Sequence, residues 1–253
     1  MSDTSAVGVE DISLVELSAD YRCYAPTDPD GHYLELRFVY AEILEGDTYS
    51  AEIGKLPPDA LVLDIGANVG MFSYAVKRAR PGATVLAFEP MPRTIGALHR
   101  NIELHGLDGV TVYPVALGTE ESTAEFTFYP QAPANSTRYP EQKTLLIALL
   151  ETALTIEVPV TTVATVLAGR AEDGPIDLVK IDVEGAELEV LRGFSDADWA
   201  RAAAFVVEVH DFDGNLAAVR SLLAERGYDV VVTPAPLIPE EQAMYLVHAR
   251  RPA

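Results

Sequence analysis

The sequence predicts an α/β fold, a mostly parallel twisted sheet with helices on both faces, preceded by an N-terminal extension and interrupted by a mid-chain insertion. Three observations carry this expectation. Leu61–Leu63 is a short continuous apolar run, as expected of a strand buried on both faces, and Thr84–Phe88 and Ile176–Ile181 read as further strands. Helical patterns follow them within a few residues, giving β–α alternation from Ala60 onward. The segment Leu61–Gly70 reads as a strand, a glycine-containing turn and a helix start.

Residues 1–56 are expected to form the extension and residues 57–253 the main domain. In the extension, Ile12–Leu17 alternates like a strand, Pro26-Thr-Asp-Pro-Asp-Gly31 signals a loop, and Leu34, Phe38, Ala41, Ile43 and Leu44 are spaced for a helix or two. Pro57-Pro58-Asp59 closes it. After the first strand, Val69–Ala79 reads as a helix stopped by Pro81-Gly82, and Arg93–His105 as a second helix ending near Gly106. Val110–Val115 is a third strand, its end weakened by Pro114. Beyond the Ile176 strand come a helix at Ala186–Arg192, a strand at Ala203–Val209 and a helix at Asn215–Arg226. Late strands follow at Tyr228–Val232 and Met244–His248, joined closely enough to run antiparallel. The insertion, about 120–160, carries two alternating strands, Thr123–Phe128 and Thr155–Val160. Between them lies a Pro-, Ala-, Asn-, Ser- and Thr-rich loop.

Composition narrows the function. With 18 Lys+Arg against 39 Asp+Glu the net charge is −21, a field that repels nucleic acid, and the basic residues are scattered. A small neutral or cationic partner suits this charge better. The single cysteine, Cys23, excludes an internal disulfide and a four-cysteine cluster. Met1-Ser-Asp-Thr has no signal-peptide character, and no apolar run of roughly 20 residues is present. A soluble, cytoplasmic protein without a membrane partner is expected, and homo-oligomerisation is left open.

Four strand-end clusters could carry chemistry. The first is Asp64-Ile-Gly66-Ala67-Asn68-Val69-Gly70. Its glycines allow a sharp turn and close approach of a ligand to the backbone. Asn68 stands where the dinucleotide fingerprint needs glycine, and no phosphate-binding GxxxxGK[ST] string exists. An acidic Asp64 would repel a pyrophosphate and suits a cation, such as the sulfonium and ammonium of S-adenosyl-L-methionine. The bland alternative is a tight turn without a ligand. The second cluster is Phe88-Glu89-Pro90: Glu89 lies 19 residues beyond Gly70, close to the spacing of a carboxylate that accepts ribose hydroxyls.

The third is Lys180-Ile-Asp182-Val-Glu184-Gly185-Ala-Glu187. Asp182 could hydrogen-bond a donor, orient an acceptor or ligate a metal. Glu184 is divided between function and a helix first turn, and Glu187 reads as a first-turn residue favoured by the helix dipole. The fourth is Glu208-Val-His210-Asp211. Alternation puts Glu208 and His210 on one strand face, and a histidine there can accept a proton near neutral pH or simply position a substrate. The remaining histidines read as structural. A divalent metal is compatible with these donors, but no ligand spacing supports one, so no metal site is assigned.

Taken together, the strings Leu61–Gly70, Phe88–Pro90, Asn101, Val115–Gly118, Val158–Thr162 and Lys180–Glu187 resemble the FkbM-type family of methyltransferases. The resemblance runs from about Ala60 to Gly193. It implies a class I Rossmann-like fold, S-adenosyl-L-methionine as cofactor, and commonly O-methylation of a specialised metabolite or a sugar. By position it implies that Asp64, Gly66, Ala67, Asn68, Gly70 and Asp182 line the methionine side, Glu89 and Pro90 the ribose, and Ala116 the adenine. Asp182, Glu184 and His210 would face a small-molecule acceptor, with His210 as the preferred base. Residues 1–56 would then cap the substrate side. Asn135-Ser136-Thr137 falls where relatives often carry a serine-rich turn, and Lys143–Leu154 resembles lid material. N- or carboxyl-methylation is the nearest rival. An NAD-dependent oxidoreductase, a non-catalytic binding module and a nucleic-acid methyltransferase are more distant, the last lacking an Asp/Asn-Pro-Pro-Tyr string.

Overall fold

Central strands here are apolar on both faces because they are covered on both. The computed structural model describes residues 11–28, 30–46, 48–142, 153–170 and 174–252. The Met1-Ser-Asp-Thr segment and residues 143–152 of the expected lid lie outside the described residues.

The extension folds as a hairpin, β1 (Ile12–Glu16) against β2 (Arg22–Pro26), followed by α1 (Leu34–Tyr40), which continues as a π-turn over Ala41–Glu45, and by α2 (Ser50–Gly54). Then come β3 (Leu61–Ile65), α3 (Met71–Ala79), β4 (Thr84–Phe88), α4 (Pro92–His105) and β5 (Val110–Tyr113). The insertion contributes β6 (Ala116–Leu117), β7 (Ser122–Phe128) and β8 (Leu154–Thr161), which form a separate three-stranded sheet in the order β6-β8-β7. The chain returns through α5 (Val163–Ala168), β9 (Leu178–Ile181), α6 (Glu187–Arg192), α7 (Asp196–Arg201), β10 (Ala204–His210), α8 (Asn215–Glu225), β11 (Asp229–Pro234) and β12 (Met244–Arg250).

The main sheet has seven strands in the order β11-β12-β10-β9-β3-β4-β5. All pairings are parallel except those of β12, which slots between β10 and β11 and runs against both. This is the expected Rossmann-like arrangement. The chain builds outward from β3 in one direction and from β9 in the other. The crevice outside the carboxyl ends of β3 and β9 is therefore the switch point where such sheets bind ligands. One side of the sheet packs around Leu63, Ile181, Phe205 and Val207; the other around Val62, Val85, Phe72 and Leu178.

Local chemistry explains the helix boundaries. The third helix starts at Met71 rather than Val69, because Asn68 (φ 49°) and Gly70 (φ 91°) take left-handed backbone, which asparagine and glycine tolerate best. Pro92 opens α4, and Gly106 (φ 59°) closes it in the left-handed conformation that favours glycine. Two short helices escape a reading by apolar period and are signalled instead by caps. Ser195 and Asp198 form a reciprocal capping box on α7, and the Thr162 hydroxyl accepts the Thr165 N–H at the start of α5.

The extension is tied to the main sheet at a point that matters for the site. Asn101 of α4 accepts the Tyr24 N–H at 2.6 Å, and its amide donates to the carbonyls of Tyr24 and Val69, both at 2.8 Å. Val15, Tyr21 and Cys23 pack with Val69, Met71 and Ala97. His105 stacks on Tyr21, in keeping with a structural role. Among the described residues no helix is long and apolar enough to cross a membrane.

Candidate active site

A cavity of about 640 Å³ opens at the switch point, and both strand-end groups meet in it. Gly66, Ala67, Asn68, Glu89, Pro90 and Ala116 line one part. Asp182, Glu184, Glu208 and His210 line another, and α1 with the Pro133–Asn135 turn closes over them.

The turn after β3 is shaped by the neighbouring strand as much as by any ligand. A Cβ on Gly66 (φ 79°) would lie 1.7 Å from the Asp182 carbonyl oxygen, so only glycine fits. The N–H groups of Gly66 and Ala67 donate to the Phe88 carbonyl, and the Asp182 N–H donates to that of Ile65. Glu89 is buried with both oxygens oriented: Oε2 accepts the Asn68 N–H and Oε1 the Met91 N–H, each at 2.9 Å. Burial pushes its carboxyl up to about 7 despite these bonds.

Two residues expected at the ligand lie behind the wall instead. Asp64 is fully buried and has no face on the cavity; it accepts the Ser73 hydroxyl at 2.7 Å and sits 3.5 Å from Lys180 Nζ. It is the inward residue of a strand end, so its charge supports Lys180 rather than meeting a ligand. Gly70 likewise serves packing, since a Cβ there would come within 2.6 Å of Leu98 Cδ1.

Lys180, whose role is not evident from sequence, joins the two sides. Its ammonium donates to the Gly66 carbonyl at 2.6 Å and lies 3.3 Å from Asp182 Oδ2. Burial alone would lower its pKa, but the Asp182 and Asp64 carboxylates more than reverse this and hold it charged.

The second group is a chain of charged side chains. His210, 2% exposed, has Nε2 3.0 Å from Glu184 Oε2 and Nδ1 3.3 Å from Glu187 Oε1. Burial opposes the charge, but Glu184 and Glu187 push the imidazole up to about 10. It is therefore an imidazolium at neutral pH and has no lone pair for a substrate proton. Glu187 stands in the first turn of α6, as read from sequence, and does more there: it is fully buried, accepts the Gly185 N–H at 2.7 Å and the Asn215 amide at 2.9 Å, and braces His210. Glu208 faces the same cavity as His210, as strand alternation predicts.

Sequence reasoning missed two carboxylates from the extension. Glu42, on the π-turn, is buried in hydrogen-bond reach of Glu208. Burial and the Asp182 charge raise both carboxyls. Glu35 lines the roof and accepts the N–H groups of Ala134 and Asn135 at 2.9 and 3.0 Å. Their spacing of seven residues, two helical turns, puts them on the same side as Phe38 and Ile43 and was the available signal. Among the described residues, no group of three or more His, Cys, Asp and Glu side chains is placed to hold a metal.

Comparison with known proteins gives the frame for this site. The Methyltransferase FkbM domain matches residues 64–230. The chain is 35% identical over 250 residues to Methyltransferase 1 of Beauveria bassiana, covering 95% of this chain and 98% of that protein. It is 36% identical over 240 residues to the 31-O-demethyl-FK506 methyltransferase FkbM of Streptomyces tacrolimicus, covering 87% and 91%. Among solved structures, magnesium protoporphyrin IX methyltransferase of Synechocystis shares the fold, with a TM-score of 0.51 at 15% identity over 86% of this chain and 82% of that one.

Proposed function

The chain belongs to the FkbM methyltransferase family, and from that premise we propose that it transfers a methyl group from S-adenosyl-L-methionine to a hydroxyl of a small molecule. One observation carries the reading: Glu89 and the Gly66–Asn68 turn share a single cavity with Asp182, Glu184 and His210.

The residues fit the donor. Glu89, its oxygens already aligned by two N–H groups, would accept the ribose hydroxyls; Pro90 and Ala116 would border the adenine. Gly66, Ala67, Asn68 and Asp182 would border the methionine part. Asp182, at the edge of the Gly66 turn, offers the donor's ammonium a carboxylate, and the raised carboxyls of Glu42 and Glu208 add hydrogen-bonding groups to the same wall. When bound, the donor supplies an already electrophilic methyl group. What is left to the chain is alignment of the acceptor and exclusion of water.

On the acceptor side, Glu184 takes the hydroxyl proton, and the imidazolium of His210 holds that carboxylate in place. The base role thus moves from His210 to its partner. A cavity of about 640 Å³, the net charge of −21 and the name of the Streptomyces relative, which specifies a 31-O-demethyl-FK506 substrate, support a small-molecule acceptor. An amine acceptor is the second reading, favoured by the same carboxylate-rich wall. Incubation with methyl-labelled donor and a panel of polyketide, peptide, sugar and amine acceptors tests both. Label on a hydroxyl supports the first reading, and label on nitrogen alone replaces it with the second.

A further inference from the structure

The Asn135–Thr137 turn lies outside both strand-end groups yet touches the extension and the acceptor wall at once. On one side Glu35 of α1 holds the N–H groups of Ala134 and Asn135, and the Asn135 amide donates to the same carboxylate at 2.5 Å. Two residues on, Thr137 is fully buried and paired through its backbone with Thr127 of β7, at 2.8 and 3.1 Å. Its hydroxyl accepts the Tyr139 N–H at 2.9 Å and donates to the Glu184 carbonyl at 2.7 Å. Glu184 adopts φ 58° and is followed by Gly185 at φ 112°. A non-glycine residue persists in that region only when its surroundings hold it there. The Thr137 hydroxyl is a bond from outside the loop to this peptide, and the other end of the same residue meets His210 Nε2 at 3.0 Å.

We propose that Thr137 is a positioning residue: its hydroxyl holds the Glu184 peptide in the left-handed conformation and so keeps the Glu184 carboxylate on His210, where the acceptor is met. The proposal rests on the reading of Glu184 and His210 as the acceptor side, but its test needs no turnover. His210 is faced by Glu184 from the loop, Glu187 from α6 and Glu208 from its own strand. Withdrawal of Glu184 from Nε2 therefore registers in the imidazole.

The experiment is an NMR titration of the His210 ring in the full chain, for wild type, Thr137→Val and Thr137→Ser. Thr137→Val keeps the volume and the β-branch while deleting the donor; Thr137→Ser keeps the donor. The expected result is a His210 midpoint lowered by at least about one pH unit in Thr137→Val, the scale of one neighbouring charge, and restored in Thr137→Ser. Affinity for S-adenosyl-L-homocysteine stays within about twofold, well inside one tenfold step of affinity. A Thr137→Val protein that melts earlier but titrates like wild type overturns the proposal and leaves Thr137 a structural strut. So does a Thr137→Ser protein that titrates like Thr137→Val. If Thr137→Val does not fold, Thr137→Ala, which deletes the donor without burying an extra methyl against a carbonyl, is read in the same way. Failure of wild type to methylate any acceptor would count against the functional reading and leave this titration unaffected.

Discussion

The two walls of the cavity are built from different materials. The donor wall is made of consecutive strand ends locked by backbone: Gly66 and Ala67 on Phe88, Asp182 on Ile65, and Glu89 on the N–H groups of Asn68 and Met91. The acceptor wall is made of side chains from many elements. Glu35 and Glu42 come from the extension, Thr137 from the insertion, Glu187 from α6, His210 from β10 and Asn215 from α8. Its geometry depends on charge pairs and on segments far apart in the chain. The donor wall should therefore respond to steric change and the acceptor wall to changes of charge.

The largest effect is expected on the acceptor wall. Glu184→Gln removes the proposed proton acceptor, so turnover at saturating donor should fall by about 10²–10⁴-fold, the usual worth of general-base catalysis. Donor affinity should hardly change, and a donor affinity lost in parallel would erase the division between the walls. On the donor wall, Gly66→Ala forces strand β9 to move, and kcat/KM should fall by about 10²-fold, as expected for a displacement near 1 Å. Here binding of S-adenosyl-L-homocysteine should be lost along with activity, with the fold checked by circular dichroism.

Titration probes both walls more gently. The folded-state pKa values of Glu35 and Glu89 are raised to about 7, so the stability they contribute is full below about pH 4.5 and lost as pH rises through 7. His210 is raised from 6.5 to about 10, so its contribution is full below 6.5 and lost as pH rises through 10. The thermal midpoint should fall in two stages between pH 5 and 10, and His210→Gln should remove the second stage. The smallest effect is expected of Glu35→Gln, which keeps one acceptor oxygen for Asn135, loses the acceptor for the Ala134 N–H and removes a charge. The first stage should shallow, with a stability change of about 1 kcal/mol at pH 8.

How much was legible in sequence follows the same division. Strand, turn and helix from Leu61 to His105 rest on local signals, so fold and donor wall could be read residue by residue. Asp64 marks the limit: it stands at the end of β3 with its side chain inward, and its contact with Lys180, 116 residues away, is one no local signal reports. The acceptor wall was half legible. His210 and Glu184 were found at strand ends, but the charge state of His210 depends on its pairing with Glu184 and also with Glu187, which looked like an ordinary first-turn glutamate. The spacing of Glu42 from Glu35 was readable, but the π-turn that carries Glu42 was not, since no apolar period reports such a bulge.

The central claim is that this cavity is built for a sulfonium donor, with Glu89 holding the ribose. Calorimetric titration of the intact chain with S-adenosyl-L-homocysteine, S-adenosyl-L-methionine and NAD, repeated on Glu89→Ala, tests it most directly. The account predicts one site for the first two ligands, none for NAD, and affinity weakened about 10- to 100-fold in the variant, matching the loss of one or two charged hydrogen bonds. Binding of NAD alone, or equal affinity in Glu89→Ala, would contradict it.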